Sequence, residues 1–492
     1  MRTKILSLIA ICFLAASCSE SFLEEEPTSV ISQTQLKENA KWNPNIMLGQ
    51  SLGISATLIK YGTGGTEDHD DFGQKSIDIA TDIMSGDMAL TAKTYGWFGN
   101  DADLQNNTPT RMRTYKAWRY YYRIIKAANE IFDTFGSDTQ IPEEGSENRI
   151  YFGQAKAMRA NSYFNLVLLY AGNYDVSKDK KVLPIYTSQL TAETKGLSTV
   201  DQVYDRIITD LKDAITALNG YTATSKDRIN ADIAKGMLAY AYLNRGDNTK
   251  KDYENAALLS SEVIANGNYP LMTKDEILQS GFNNVSIPSW MWAIDLTKDN
   301  TAGLPTFWGQ VDYFTYSYAY AGDRKVIDKN LFLTIPKTDT RRSWFHSSVL
   351  IPWNKFYDNA RKAGGNRLWD NDEVFMRVEE MYLINAEANA RLNQLPAAAT
   401  ALKELLLERD NTVAATVETM DQPTLLNQIY FNWRLEMWGE GKGLQTMKRF
   451  KKSMTRGANN VSLAGVTISY DDPRFIFQIP EREVNNNPNL NK

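Results

Sequence analysis

Apolar positions recur at steps of three and four along much of the chain, the period of an amphipathic helix. Trp118, Tyr122, Ile125, Ala128 and Phe132 follow that step within 115–135. Ala157, Ala160, Phe164 and Val167 repeat it, as do Val203, Ile207, Leu211, Ala214 and Leu218. Ser198, Thr199 and Asp201 supply N-cap candidates for the third of these helices. Two stretches, 231–266 and 378–409, read as helix–turn–helix pairs, the second with Pro396 where a first helical turn tolerates it. Ala386 and Ala398 stand twelve apart, the spacing of the small residues at which tetratricopeptide helices pack closely. Such repeats need at least three copies for stability, so Trp118–Phe132 paired with 154–170, and 36–60, are candidates for the others. The pattern changes in 62–110 and 270–375, which are rich in Gly, Asn, Asp, Thr, Pro and aromatics and read as long loops with short helices or strands. Long loops on a rigid scaffold are where binding usually sits.

The first residues follow another logic. Arg2 and Lys4 precede an apolar run, Ile5–Leu14, that is too short to span a bilayer. Ala15, Ala16 and Ser17 then lead to Cys18, an arrangement that resembles a bacterial lipobox in which Cys18 is lipidated and becomes the mature N-terminus. Cys12 is the poorer candidate because bulky Ile11 precedes it. Several acyl chains hold a protein on a membrane where one does not. The stretch after Cys18, with Glu20 and Glu24–Glu26, reads as an acidic tether.

Composition narrows the function. The chain has 492 residues, 43% of them hydrophobic and 23% charged, which excludes a disordered or low-complexity scaffold. A net charge of −5 argues against nucleic acid as a partner. Cys12 and Cys18 are the only cysteines, so the rest of the chain holds no disulfide framework, Cys-ligated zinc or thiol nucleophile. His69 and His346 are the only histidines, which rules out a His-rich metal site, and neither sits in a nucleophile-elbow context. Gly62–Thr66 is Gly-rich, but no Lys-Ser/Thr follows, so it is a turn rather than a phosphate loop. No cofactor and no metal are expected.

Four further motifs carry a family resemblance. The opening CSESFLEEEPTS, the helix AKAMRANSYFNLVLLYAGNY, the pair MRVEEMYLINAEANARLNQLPAAATALKELLLERD and the closing FIFQIPEREVNNNPNLNK occur in that order. Together they resemble the SusD/RagB family of outer-membrane nutrient-binding lipoproteins of Bacteroidetes. One stretch departs: the family commonly has Glu-Gly-x-Arg-x-x-Asp, and here Glu440 and Gly441 match while Gly443 and Thr446 replace the charged pair.

The resemblance implies a mainly α fold, a tetratricopeptide-like scaffold of about four helix pairs with an irregular, loop-rich half that carries the ligand site. It divides the chain into a signal peptide (1–17), a lipidated N-terminus and acidic tether (18–35), an N-terminal SusD-like region with helical repeats (36–270) and a C-terminal SusD/RagB region (271–492). It implies no catalysis, an outer-membrane, lipid-anchored, cell-surface location, and a SusC-type TonB-dependent outer-membrane barrel as partner. The ligand it implies is an oligosaccharide, with an oligopeptide as the alternative. Two rivals of other classes are a helical glycoside hydrolase, for which no motif singles out a pair of carboxylates, and a purely structural repeat scaffold.

Aromatics in the irregular regions are the candidate ligand contacts, because flat rings stack on sugar faces at little entropic cost. One cluster is Tyr95–Asn100; the other runs from Phe307 and Trp308 to Tyr320. The expected contacts are Trp97, Asn100, Trp308, Tyr313, Tyr316, Tyr318 and Tyr320, the last three placed by their alternation on one side of an extended segment. The plainer expectation for any one ring is that it covers the scaffold. Trp290 and Trp292 read as a buried strand. Glu67–Asp71 could hold a calcium ion but lacks EF-hand spacing and reads more simply as a solvated acidic loop. Lys448, Arg449, Lys451, Lys452 and Arg456 read as a solvated basic face.

Overall fold

The computed structural model describes residues 43–188 and 194–491, with positions 35, 38 and 39. The signal segment, Cys18 and nearly all of the tether therefore lie outside the described residues.

The predicted helices form. Helix α1 (Pro44–Thr57) starts on an Asn43 cap and lies across α3 (Met112–Phe135) and α4 (Glu147–Tyr170). Between α1 and α3 come α2 (Gln74–Ser85), buried along its whole length, and a short strand β1 (Met88–Leu90). The array continues through α5 (Val200–Ala217), α6 (Ala231–Arg245) and α7 (Asp252–Ala265). Of the three cap candidates Thr199 is the one used, in a reciprocal capping box with Gln202. Strands β2 (Trp290–Ile294), β3 (Lys325–Ile327) and β4 (Glu373–Arg377) lie in the irregular segment. Helices α8 (Val378–Arg391), α9 (Leu395–Leu407), α10 (Gln422–Glu436) and α11 (Gly443–Arg449) follow.

From α3 to α9 each long helix packs on the one before it and the one after it, and α8 takes its place directly on α7 although more than a hundred residues intervene. This is the stacking expected of a helical-repeat scaffold. Close approach is built in: Ala386 and Ala398 are fully buried, and a Cβ on Gly153 would lie 2.7 Å from Leu218. Buried ion pairs fix the register. On α4, Arg159 grips Asp210 of α5 at 2.8 Å and Lys156 reaches the same carboxylate at 2.9 Å. Among the described residues no helix is long and apolar enough to cross a membrane.

The irregular segment is tied to the array at two places. β2 pairs antiparallel with β4, and Trp290 and Trp292 are buried as expected. Beside this ladder lies a buried network. Arg377 contacts Glu436 at 2.7 Å and Glu440 at 3.0 Å, Arg409 contacts Glu379 and Glu436, and Arg341 and Lys355 join from the irregular segment. Burial alone would raise the Glu436 carboxyl, but Arg409, Arg377 and Arg341 outweigh it and hold it well below the usual carboxylate range. Arg377 and Lys355 likewise overcome burial at Glu440 and bring it down to about 2.

The departure at Gly443 has a structural reason. A Cβ there would lie 2.5 Å from the Ser85 hydroxyl, and the Gly441 and Gly443 N–H groups donate to Asp82 at 3.0 and 3.1 Å. Backbone amides thus take the place of a cationic partner, and burial pushes the Asp82 carboxyl up to about 7.

The basic run is not a solvated face. Lys448 is buried and donates to the carbonyls of Leu168 and Phe475, and burial pushes its amine down to about 8. Arg449 grips both oxygens of Glu387, and Arg456 is 1% exposed and donates to backbone carbonyls including Ile83. Lys451, paired with Asp175, matches the expectation. The charges are buried because the tertiary fold supplies partners that a local pattern does not reveal.

Candidate functional site

Strand β1 pairs antiparallel with β3, Leu90 opposite Lys325 and Met88 opposite Ile327. This short ladder brings the loop after β1 against the turn before β3. Asp323 fixes the junction: its two carboxylate oxygens accept from the N–H groups of Thr94 and Tyr95 at 2.9 and 2.8 Å. The two aromatic stretches, more than two hundred residues apart, are thereby brought together.

Within the first loop Phe98 has a left-handed φ of 61°. Phe98 is buried against Phe72, and Trp97 stays half-buried at the surface. His69 stacks on Trp97, and Tyr318 meets both rings edge-on and donates to or accepts from His69 Nδ1 at 2.7 Å. Tyr95, exposed, packs on Tyr318 with centroids 5.0 Å apart.

The loop that carries His69 is clamped from below. Lys116 and Arg113 on α3 hold Asp68 and Asp70, while Asp71 accepts from the Gly64 and Thr66 N–H groups. Burial would raise the Asp70 carboxyl, but Arg113 and Lys116 lower it. The acidic stretch is therefore solvated only in part: Glu67 and Asp68 reach solvent, while Asp70 and Asp71 turn inward to their partners. Asp68 and Asp70 are bound to α3 and Asp71 to its own loop, and among the described residues no group of His, Cys, Asp and Glu side chains is arranged to hold a metal.

The second stretch is not extended. Asp312 accepts from Phe314 N–H and the Thr315 hydroxyl, and Ser317 caps a helical turn, Tyr318–Ala321. The turn replaces the expected alternation: Tyr318 is 7% exposed and faces inward, while Tyr316 and Tyr320 are 39% and 43% exposed. Tyr313, half-buried, touches Tyr320. Trp308 does not join them. A Thr306-capped turn, Phe307–Val311, drives it into the core against Phe307 and Phe356, where it is fully buried. That turn requires Gly309, whose Cβ would fall 1.9 Å from the Leu304 carbonyl. Asn100 is exposed at the start of the short helix Gly99–Ala102.

Three residues extend the surface beyond the expected set. Trp369 packs on Tyr316 and donates to its carbonyl at 3.0 Å, and the Arg367 guanidinium lies 4.2 Å from the Tyr316 ring centroid. His69 is the third. Beneath the patch, burial pushes the Lys325 amine, which donates to Gln310, down to about 7.

Two family models match the chain. Residues 43–243 match a model described as starch-binding and associating with the outer membrane, and residues 308–492 match that of the SusD family. A SusD-like protein of Bacteroides ovatus is 24% identical over 295 residues, 58% of this chain and about half (48%) of that protein's own length. SusD-like protein P38 of Formosa agariphila is 23% identical across 98% of this chain and 97% of its own. The crystal structure of a SusD-like carbohydrate binding protein from Bacteroides vulgatus superposes with a TM-score of 0.74 at 23% identity, covering 91% of this chain and 97% of that one. With two models matching in order, relatives that run the length of the chain and a shared helical-repeat fold, the chain belongs to the SusD/RagB family.

Proposed function

We propose that this protein is a non-catalytic surface lipoprotein that captures an oligosaccharide and delivers it to a SusC-type TonB-dependent outer-membrane barrel. The observation that carries the reading is the ring cluster itself: Trp97 is stacked on His69 and meets Tyr318, which also packs on Tyr95, with the exposed Tyr316 just before the Tyr318–Ala321 turn and the exposed Tyr320 on it. Rings set beforehand by a clamped loop bind a sugar face with little further loss of entropy. Arg367 and Asn100 supply donors for sugar hydroxyls at the margin. The carbohydrate-binding neighbour from Bacteroides vulgatus and the starch-binding family model support a glycan over a peptide. In this reading Cys18 carries the lipid, the acidic tether lets the protein swing over the pore, and affinity is modest because delivery requires release.

Calorimetric titration of the chain from Cys18 onward tests the ligand class. Saturable heat with neutral glycan oligomers that is lost in Trp97→Ala supports the reading. Heat only with mixed oligopeptides moves the protein to the peptide-binding branch, and shortened oligomers after incubation would make it an enzyme. Co-purification of a barrel from solubilised outer membrane tests the partner.

A further inference from the structure

A groove of about 840 Å³ runs along the outer face of α3, beyond the loop that carries His69. Its chemistry differs from that of the aromatic patch. Arg119, Arg123 and Lys126 fall at i, i+4 and i+7 on α3 and form one stripe. Arg482, on the short C-terminal helix Glu481–Asn486, enters from the opposite wall and lies over the Tyr115 ring at 4.5 Å. Trp118 and Tyr122, with centroids 4.7 Å apart, form the floor. Glu483 is the one carboxylate among the lining residues, and burial raises it.

These cations contrast with the buried arginines that brace the helical array. Arg113, Arg159, Arg245, Arg341, Arg377 and Arg409 each grip a carboxylate. Among the described residues Arg119, Arg123 and Arg482 form no ion pair, and Lys126 has only Glu130 at 3.8 Å. Like charges gathered on one wall repel, and an anion in the groove relieves that repulsion. Guanidinium forks match the geometry of a carboxylate or a sulfate.

We infer that this groove is a second ligand site, which takes the carboxylate- or sulfate-bearing units of an acidic oligosaccharide. Continuity with the first site favours a saccharide. Gly65 leaves room for Arg119, whose Cδ would lie 2.5 Å from a Cβ there, and His69, four residues on, stacks on Trp97. One clamped loop thus borders both the cationic groove and the neutral ring surface, and an oligomer can follow it from one to the other. The saccharide assignment rests on the glycan reading of the ring cluster; the anion preference rests on the groove alone.

Titration with oligogalacturonate, its carboxyl-reduced counterpart and a heparin-derived oligosaccharide tests the site, at low and high salt. The double variant Arg123→Gln/Arg482→Gln removes two exposed cations without breaking an ion pair, and its melting temperature checks the fold. At least tenfold weaker binding of an acidic oligomer by this variant, reproduced in the wild type by added salt, is expected. Neutral oligomers are then bound as by the wild type. Unchanged affinity in the double variant, equal affinity for the carboxyl-reduced oligomer, or no binding of either acidic oligomer overturns the proposal. Equally tight, arginine-dependent binding of poly-glutamate also overturns it and makes the ligand an acidic peptide. Trp97→Ala separates the sites: if it abolishes neutral binding while acidic binding persists, both readings stand, and if no neutral glycan binds at all, the ring-cluster reading fails by itself.

Discussion

The His69 imidazole lies flat against the Trp97 indole, with ring planes within 10° and centroids 5.4 Å apart. One face of the tryptophan is therefore fixed by the protein, and the side chain is set before any ligand arrives. His69→Ala removes that support together with the hydrogen bond to Tyr318. Aromatic pairs contribute about 0.5–1.5 kcal/mol beyond buried area, so glycan binding should weaken about two- to tenfold. Isothermal titration measures the loss, and an unchanged melting temperature with unchanged affinity would remove His69 from the site.

Trp97 and Trp308 should separate binding from folding. Trp97→Ala is expected to cost about 2 kcal/mol or more of binding, as for an anchoring aromatic, with little change in stability. Trp308 is fully buried, so Trp308→Ala should destabilise the fold by about 3–5 kcal/mol. Denaturant unfolding alongside titration tells the two apart; equal effects on binding at full stability would contradict the placement of Trp308.

Asp323 ties the first aromatic loop to the second. Asp323→Ala leaves the Thr94 and Tyr95 N–H groups without their carboxylate partner, at a cost of about 1.5–3 kcal/mol for bonds to a charged group. Amide hydrogen exchange should speed up at those two residues, and glycan affinity should fall even though Asp323 is 1% exposed. Protection that survives the substitution would show that the loop is held otherwise.

Glu440 gives a signed pH dependence. Its carboxyl is ordinarily near 4.5 and stands at about 2 in the fold. The unfolded chain binds the proton more readily, so this group stabilises the protein fully above the unfolded value, and the gain is lost as pH falls from about 4.5 toward 2. Glu440→Gln should lower stability at pH 7 by about 3–5 kcal/mol, because Arg377 and Lys355 lose a buried partner. It should also flatten the acid limb of the melting-temperature profile; a parallel limb would assign the acid sensitivity elsewhere.

Much of the scaffold was legible because helix period and capping are local properties. The apolar stripe of 115–135 and the Thr199 cap needed no distant information. The two aromatic stretches were legible as candidates, but their meeting was not, since a three-residue ladder and one aspartate join them across the fold. Tyr318 parts from Tyr316 and Tyr320 because a Ser317 cap makes a helical turn of what reads as alternation. Trp308 looked available because no local pattern tells a ring that covers a core from one that faces outward. His69 was masked by the acids around it, whose role as anchors to α3 depends on Arg113 and Lys116 more than forty residues later.

The Asp323 clamp also orders events in time. It joins Tyr95 to a residue 228 positions later, whereas consecutive helices from α3 to α7 pack on sequence neighbours. Contacts between near neighbours form early, and those that close long loops form late. A folding chain is therefore expected to become helical and compact before its ring cluster exists. Recovery of ligand binding would then lag behind recovery of helicity, and capture competence would mark the last step of maturation rather than the first.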